Sequence, residues 1–579
     1  MKILGISCYY HDAAACLIIN GKITSAAAEE RFTRIKHDNN FPINAINYCL
    51  NDNGLAANEL DYIVFYEKPI IKFERIIFQH LQHFPKSYLI FSKYMSQWLI
   101  SRLRIRDTLK SKVHYHGKIL FIDHHLAHAA CTYYLSGYQS SSILTIDGVG
   151  EWATCTVGLG SNNKIEIKKQ INFPNSLGLL YSTFTTYLGF SANDAEYKVM
   201  GLAAYGKPKQ RYIKKLNKII NVKKDGSFSL DMKYFDYSWR ERMFSEEFIK
   251  LFKHPPRREN EKILKFHEDL AASLQYLLEK VVINLLNKIY LNDKNLNICM
   301  SGGVALNAVL NGKILANTPF KKLFIPPDPG DAGGAMGAAL YIAAKYDFID
   351  KRFVGERFCA YLGPEFKWFQ IVKVLDRYKK GKQINYYLYS SQNKLLDRVA
   401  DLIKEENIIG WFQGKMEWGP RALGNRSILA SATRQEMRDI INSRVKNREL
   451  FRPFAPVIIE NKIYEYFQID NKTKDYFSPS NRWMLTVYPF KKSVYKLIPA
   501  VVHIDGSGRL QSLCKKDNAL YYSLLMKYYR KTGIPVIINT SFNVKGEPII
   551  CTPEEAMKCF IKTDIDYLVI DRYLVCKVK

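Results

Sequence analysis

Two histidines four residues apart, in Asp123-His124-His125-Leu126-Ala127-His128, are the first feature of the sequence able to do chemistry. At the start of a predicted helix an i, i+4 pair shares one face, so His124 and His128 can grip one cation, or simply pack there. Asp147 ends a predicted strand, and Asp331 precedes a predicted helix in Asp328-Pro329-Gly330-Asp331-Ala332-Gly333-Gly334. Taken singly, Asp147 reads as a turn former before glycine and Asp331 as a helix N-cap. With the histidines they make two neutral imidazoles and two carboxylates, a donor set that suits iron(II), zinc or manganese.

Glycine and arginine supply the other chemistry. Ser301-Gly302-Gly303 lies between a strand and a helix, followed by Asn307 and Asn311 on one face. Its backbone N–H groups can face an anion, or the loop is a plain tight turn. The run 330–337 permits close approach of a ligand or close packing of a helix. Further on, Lys415, Arg421 and Arg426 crowd a turn-rich loop, and Lys446, Arg448 and Arg452 follow. Guanidinium forks match phosphate and carboxylate oxygens, so the cluster suits a doubly anionic substrate; surface salt bridging is the alternative. His503, Asp505, Arg509 and the stretch 539–543, ending in Asn543, add polar groups on probable strand ends, where α/β ligand sites tend to lie.

The elements that must position these residues repeat one grammar. Strands over 2–8, 13–19 and 22–28 form a meander whose Asn20-Gly21 is a hairpin signal. Strands over 142–146, 152–158 and 164–169 repeat it, and each meander leads into helices and further strands. Such a duplication fits an actin/sugar-kinase fold of two ribonuclease-H-like halves. Strand–helix alternation sets an α/β class. Composition loosens over 346–358, so the expected domains are 1–353 and 354–579, the second a further α/β domain.

The 579 residues carry 47% hydrophobic and 24% charged residues, in the ordinary range for globular domains. No apolar run is long enough to span a bilayer or to serve as a secretory signal, so the expected address is cytoplasmic. The 11 cysteines lack the spacing of a disulfide framework or zinc ribbon. A formal charge of +29 invites polyanions, but the basic residues are scattered, which reads more simply as a solvated surface.

Several strings occur in order along nearly the whole chain: E-E-R-F-T-R-I-K-H-D, H-H-L-A-H-A-A, D-G-V-G-E, E-Y-K-V-M-G-L-A-A-Y-G, S-G-G-V-A-L-N, P-G-D-A-G-G-A-M-G, M-E-W-G-P-R-A-L-G-N-R-S, F-R-P-F-A-P and N-T-S-F-N-V-K-G-E-P-I. In these the chain resembles the NodU/TobZ family of O-carbamoyltransferases. The resemblance implies an actin/sugar-kinase-like N-terminal part and a YrdC-like C-terminal part. The second would convert carbamoyl phosphate and the co-substrate ATP to carbamoyl-adenylate. An internal passage would deliver it to a metal site, Fe(II) by resemblance, held by His124, His128, Asp147 and Asp331. There a hydroxyl, that of a sugar-bearing small acceptor, would attack. His11, beside Asp12, is implied as general base and Lys36 as a contact to the carbamoyl group or acceptor. Gly302, Gly303 and Asn307 would hold adenosine. Lys415, Arg421, Arg426, Lys446, Arg448, Arg452, Arg509 and Asn543 would bind carbamoyl phosphate and ATP. The rival is a threonylcarbamoyladenosine-type tRNA-modifying enzyme; the strings are those of the O-carbamoyl family, so nucleic acid is not an expected partner. Trp418 and Gly508 depart from the family pattern, which has Phe and Ala there.

Overall fold

The computed structural model describes residues 1–350, 354–355, 358–449, 451–469 and 478–578. By its internal contacts the chain forms two compact units. The first holds Met1–Glu29 and His37–Phe358, the second Glu30–Lys36 and Cys359–Lys579. The expected boundary after residue 353 lies outside the described residues.

The first unit contains two five-stranded sheets built alike. In one, β1 (Lys2–Ser7), β2 (Ala14–Ile19) and β3 (Lys22–Ala28) form the meander, and β4 (Tyr62–Phe65) and β5 (Lys118–Phe121) add in parallel beside β1, giving the order β3-β2-β1-β4-β5. In the other, β6 (Ser140–Ile146), β7 (Ala153–Ser161) and β8 (Lys164–Asn172) form the meander. After a small ribbon of β9 (Ile220–Val222) and β10 (Phe228–Leu230), β11 (Asn297–Ser301) and β12 (Lys322–Phe324) complete the order β8-β7-β6-β11-β12. Strand order and direction match, so the duplicated actin/sugar-kinase-like fold is present. Asn20 and Gly21 turn the first hairpin with φ of 48° and 80°, as a two-residue turn with both φ positive requires. The stretch 40–115, poor in sequence signals, supplies β4 and the helices Pro69–Gln82, Tyr88–Gln97 and Ile105–Val113.

What positions the candidate site is a seam of small residues. The glycine-rich helix Asp331–Lys345 lies between β1 and the histidine helix His124–Ser136. A Cβ at Gly337 would stand 1.9 Å from the Ala127 carbonyl oxygen, and one at Gly5 would stand 1.9 Å from the Ala335 carbonyl oxygen. At both places backbone meets backbone where no side chain fits. Ala127 is one residue before His128, so this contact sets the height of Asp331 against the histidine pair.

The second unit is a mixed α/β domain. Among the described residues its nine strands are β13 (Ile384–Leu388), β14 (Ile409–Phe412), β15 (Arg426–Ser431), β16 (Ala455–Ile459), β17 (Thr486–Pro489), β18 (Ser507–Leu513), β19 (Val536–Ser541), β20 (Tyr567–Ile570) and β21 (Tyr573–Lys577). They assemble in the order β13-β21-β20-β14-β15-β19-β16-β18-β17. Central β14 is buried on both faces, Ile409 and Trp411 entering one core and Phe412 the other. The glycine at 508 has a local reason: a Cβ there would lie 2.4 Å from the Phe490 ring.

Because the seam leaves no room, Gly337→Ala is expected to destabilise the chain by about 1–3 kcal/mol. Gly201→Ala meets nothing within 4 Å and should be neutral or stabilising by up to about 1 kcal/mol. Urea unfolding of the two variants checks the contrast.

Candidate active site

His124 and His128 occupy successive turns of their helix and are fully buried, as nearly are Asp147 and Asp331. Asp147 follows β6, and Asp331 opens the glycine-rich helix. One donor atom from each of the four lies within 4.8 Å of every other. His124 Nε2 is 3.1 Å from His128 Nε2 and 3.2 Å from Asp147 Oδ2, and His128 Nε2 is 3.5 Å from Asp331 Oδ1. Donors about 2.1 Å from one cation, at right to tetrahedral angles, stand roughly 3.0–3.4 Å apart. Asp331 Oδ2 is buried without a hydrogen-bond partner. A carboxylate oxygen is costly to leave so, unless a cation meets it. The donor set therefore fits a divalent metal.

The surroundings hold the donors in place. Glu151 takes the backbone N–H of His124 on both carboxylate oxygens at 3.1 Å and that of Lys68 at 2.8 Å. It thus caps the histidine helix, which Asp123, paired with Lys68, does not. Ser301 Oγ lies 3.3 Å from His128 Nδ1, and Gly303 N–H donates to Asp147 Oδ1 at 2.8 Å. Gly302, at φ 93°, donates to the Pro329 carbonyl at 2.8 Å, and Asn307 caps the helix Ala308–Asn317 through Leu310 N–H. The amides of Gly302 and Gly303 are thus spent on tying loops together and orienting Asp147, rather than offered to a phosphate. Burial alone would lower the His124 imidazole, but Asp331 and Asp147 reverse this and raise it to about 9. His125 goes the other way: burial, then its histidine neighbours, push it down to about 3. It stays neutral, 2.6 Å from Thr145 Oγ1.

A second constellation surrounds Asp12. Its Oδ2 meets His11 Nδ1 at 2.9 Å and its Oδ1 meets His37 Nδ1 at 2.8 Å; His37 Nε2 reaches Asp194 Oδ1 at 3.1 Å. His11 Nε2 bonds the Asn193 carbonyl. A carbonyl only accepts, so Nε2 carries the proton, and both ring nitrogens of His11 are committed. The expected general-base role therefore requires Nε2 to lose its proton as the Asn193 bond opens. Burial would lower His11, but Asp12 overrides it and carries it up to about 10. His37 and Asp194 were not singled out from the sequence, although His37 stands in the string K-H-D. Lys36 is half-buried and groups with the second unit.

In the second unit Lys446 is buried, and among the described residues its ammonium pairs with no carboxylate. It donates to the Ser541 carbonyl, to Asn543 Oδ1 at 2.7 Å and to the Asn543 carbonyl at 3.0 Å. Burial, and then Arg448 beside it, push its pKa well below the ordinary lysine value. Arg448 Nε donates to Asn442 Oδ1 at 2.7 Å, and Asn442 donates to the Arg452 carbonyl at 3.2 Å. Lys446 with Ser541 and Asn543, and Arg448 with Asn442 and Arg452, thus form two neighbouring groups whose positive charge Glu449, 3.8 Å from Arg452, offsets only in part, a setting suited to an anion. Lys415, Arg421 and Arg509 lie half-buried in the same unit. Glu417 Oε1 gathers the N–H groups of Leu423, Asn425 and Arg426 at 2.7–3.1 Å and so shapes the loop that carries Arg421.

Arg426 does not belong with the substrate-binding residues expected. It is fully buried over the Phe412 ring, and its five N–H groups go to the carbonyls of Gln413, Asn425, Pro364, Gly414 and Cys551. No donor is left for a ligand.

The Asp12 constellation makes stability depend on pH. Burial would lower His37, but its bonds to Asp12 and Asp194 raise it from 6.5 to about 9. That contribution is complete below about pH 6.5 and is lost as pH rises through 9. Asp12 is lowered, burial notwithstanding, by His11 and His37, so its contribution fades only in acid. In the metal-free chain His124 shares the alkaline window. His37→Gln should therefore shrink, without abolishing, the fall in denaturation midpoint between pH 6.5 and 9.

The model of the carbamoyltransferase N-terminus matches residues 2–340, and that of the carbamoyltransferase C-terminus matches residues 400–577. The uncharacterized protein sll1178 of Synechocystis is 41% identical over 99% of this chain and 96% of its own length. Nodulation protein NolNO of Sinorhizobium fredii is 34% identical over 98% of this chain and 79% of its own length. Among solved structures, the Acidaminococcus fermentans (R)-2-hydroxyglutaryl-CoA dehydratase component A covers 60% of this chain, and 99% of its own length, at 14% identity and a TM-score of 0.32, and adds nothing to the assignment. With both halves matched in order, the chain belongs to the carbamoyltransferase family and is an enzyme of carbamoyl transfer.

Proposed function

We propose that the chain forms carbamoyl-adenylate from carbamoyl phosphate and ATP in its second unit and transfers the carbamoyl group to a hydroxyl of a sugar-bearing acceptor in its first. The observation that carries this reading is the buried set His124, His128, Asp147 and Asp331, with one carboxylate oxygen left without a partner. The surplus of basic groups at Lys446, Arg448 and Arg452 supports the first step, since a carbamate or phosphate would offset it.

The bonds balance as follows. Carbamoyl phosphate yields carbamate and phosphate with water. A carbamate oxygen attacks the α-phosphorus of ATP and pyrophosphate leaves. The acceptor oxygen then bonds to the carbamoyl carbon while the bond to AMP breaks. Arg448 and Arg452 would hold the anions of the first steps, with Asn442 fixing Arg448, while Lys446 ties down Ser541 and Asn543 with its own N–H groups. Lys415, Arg421 and Arg509 extend that basic surface toward ATP. By the family resemblance the adenosine would rest on Gly302, Gly303 and Asn307.

A divalent cation, Fe(II) in this reading, would supply Lewis-acid stabilisation of the departing phosphate. His124, His128, Asp147 and Asp331 would bind it, and Glu151, Ser301 and Gly303 keep three of those four aimed. An acceptor hydroxyl that displaces the Asn193 carbonyl would meet His11 Nε2 while Asp12 still holds Nδ1. With the Nε2 proton first given up to solvent, that arrangement would suit proton removal, Asp12 stabilising the imidazolium formed. Lys36 is assigned to the carbamoyl group or acceptor.

No helix among the described residues is long and apolar enough to cross a membrane. All eleven cysteines are free thiols, which supports a reducing, cytoplasmic address.

AMP and pyrophosphate release from ATP and carbamoyl phosphate tests the reading, together with mass spectrometry of carbamoylated acceptors. Lys446→Met should abolish AMP formation. Asp331→Asn should retain adenylate formation and lose transfer to acceptor. Carbamoyl transfer without ATP consumption, or AMP release that requires tRNA, would contradict it.

A further inference from the structure

The first unit holds a cavity of about 310 Å³ apart from the donor cluster, at the low end of the range for small-ligand sites. Its walls are aromatic: Trp152, Trp239, Phe78 and Phe173. Phe78 stands edge-on to Trp152 at 5.7 Å between ring centres, and His83 stacks on Trp239 at 6.2 Å. Polar groups line it as well. Arg75, only 5% exposed, lies over the Phe173 ring and donates to Gln79 at 3.0 Å, while its Nε–H has no partner. Gln79 in turn fixes Ser238 through its carbonyl at 2.5 Å. Gln82 and His83 complete the rim, His83 held toward its neutral form by burial and then by Lys86.

Flat aromatic faces attract the apolar C–H face of a sugar ring, while amide, imidazole and guanidinium groups bond its hydroxyls. A buried guanidinium with a spare N–H is costly unless an oxygen meets it. No carboxylate lines the cavity, so a polycationic ligand finds no counter-charge there. Two links run from the cavity toward the reacting centre. Trp152 follows Glu151, which caps the histidine helix. Arg75 acts electrostatically on Tyr10, whose hydroxyl would lie 3.6 Å from a Cβ at Gly148, beside Asp147.

We propose that this cavity is the acceptor site and that it takes an uncharged glycoside ring, stacked against Trp152, walled by Trp239 and hydrogen-bonded by Arg75. Calling it the acceptor site rests on the carbamoyl-transfer reading above; the binding of a glycoside does not. The full chain, without ATP or carbamoyl phosphate, is titrated with methyl glucoside, methyl mannoside, methyl galactoside, methyl N-acetylglucosaminide and octyl glucoside below its micelle concentration. Tryptophan fluorescence is the readout. A saturable change is expected with at least one glycoside, weakened at least tenfold by Trp239→Ala and by Phe78→Ala. Phe78 is 48% exposed, so its variant keeps the fold if either does, and a thermal melt verifies this. No saturable response across the panel, or a response unchanged in both folded variants, overturns the proposal. Should glycosides bind as expected while the wild type releases no AMP from ATP and carbamoyl phosphate, the cavity assignment stands as a sugar site and the adenylate reading falls.

Discussion

The architecture of the first unit hinges on the contact between two backbones, at Gly337 and the carbonyl of Ala127. Helices separated by ordinary side chains pack 8–10 Å apart, and here a side chain at 337 would collide with a carbonyl at 1.9 Å. That close approach sets Asp331, at the N-terminus of one helix, beside His124 and His128 in the first turns of the other. Asp147 arrives from the second meander, where Gly303 N–H holds it. Four charged or titratable groups are thereby buried together, an arrangement that costs the fold stability unless a cation binds them. The strain of function is concentrated at this point and distributed to the seam, the Glu151 cap and the Ser301 loop.

The two units divide the chemistry by charge. The first gathers carboxylates and imidazoles, which suit a cation; the second gathers Lys446, Arg448 and Arg452, which suit anions. Buried Lys446 rests on neutral oxygens of Ser541 and Asn543, where its charge is disfavoured, and an arriving carbamate or phosphate would favour that charge again. A surplus of +29 over the chain would favour anions in the same sense, without requiring a polymeric partner.

Much of this was legible in the residues. The spacing of His124 and His128 on a helix, and the two repeated meanders with their polar turns, are local patterns that survive folding unchanged. The strands at 2–7 and 22–28 appear within a residue or so of expectation because short apolar runs and Asn20-Gly21 fix them. Other features depend on register and direction, which a string does not carry. Arg426 stands in a basic run, yet its pairing opposite Phe412 across β14 and β15 turns it inward, onto carbonyls. Glu151 caps a helix that begins far from it in sequence, and Asp194 meets His37 only because the chain folds back. β4 was missed because four residues are too few to show a period. The aromatic cavity was invisible for the same reason: Phe78, Trp152 and Trp239 come from three separate segments.

The central claim is that His124, His128, Asp147 and Asp331 close on a single cation. Anomalous X-ray diffraction from crystals grown anaerobically with Fe(II) tests it directly. The account predicts one strong iron peak within bonding distance of all four side chains, lost in crystals of Asp331→Ala. Iron seated elsewhere, or full carbamoyl transfer by a chain whose four side chains hold no metal, would contradict it.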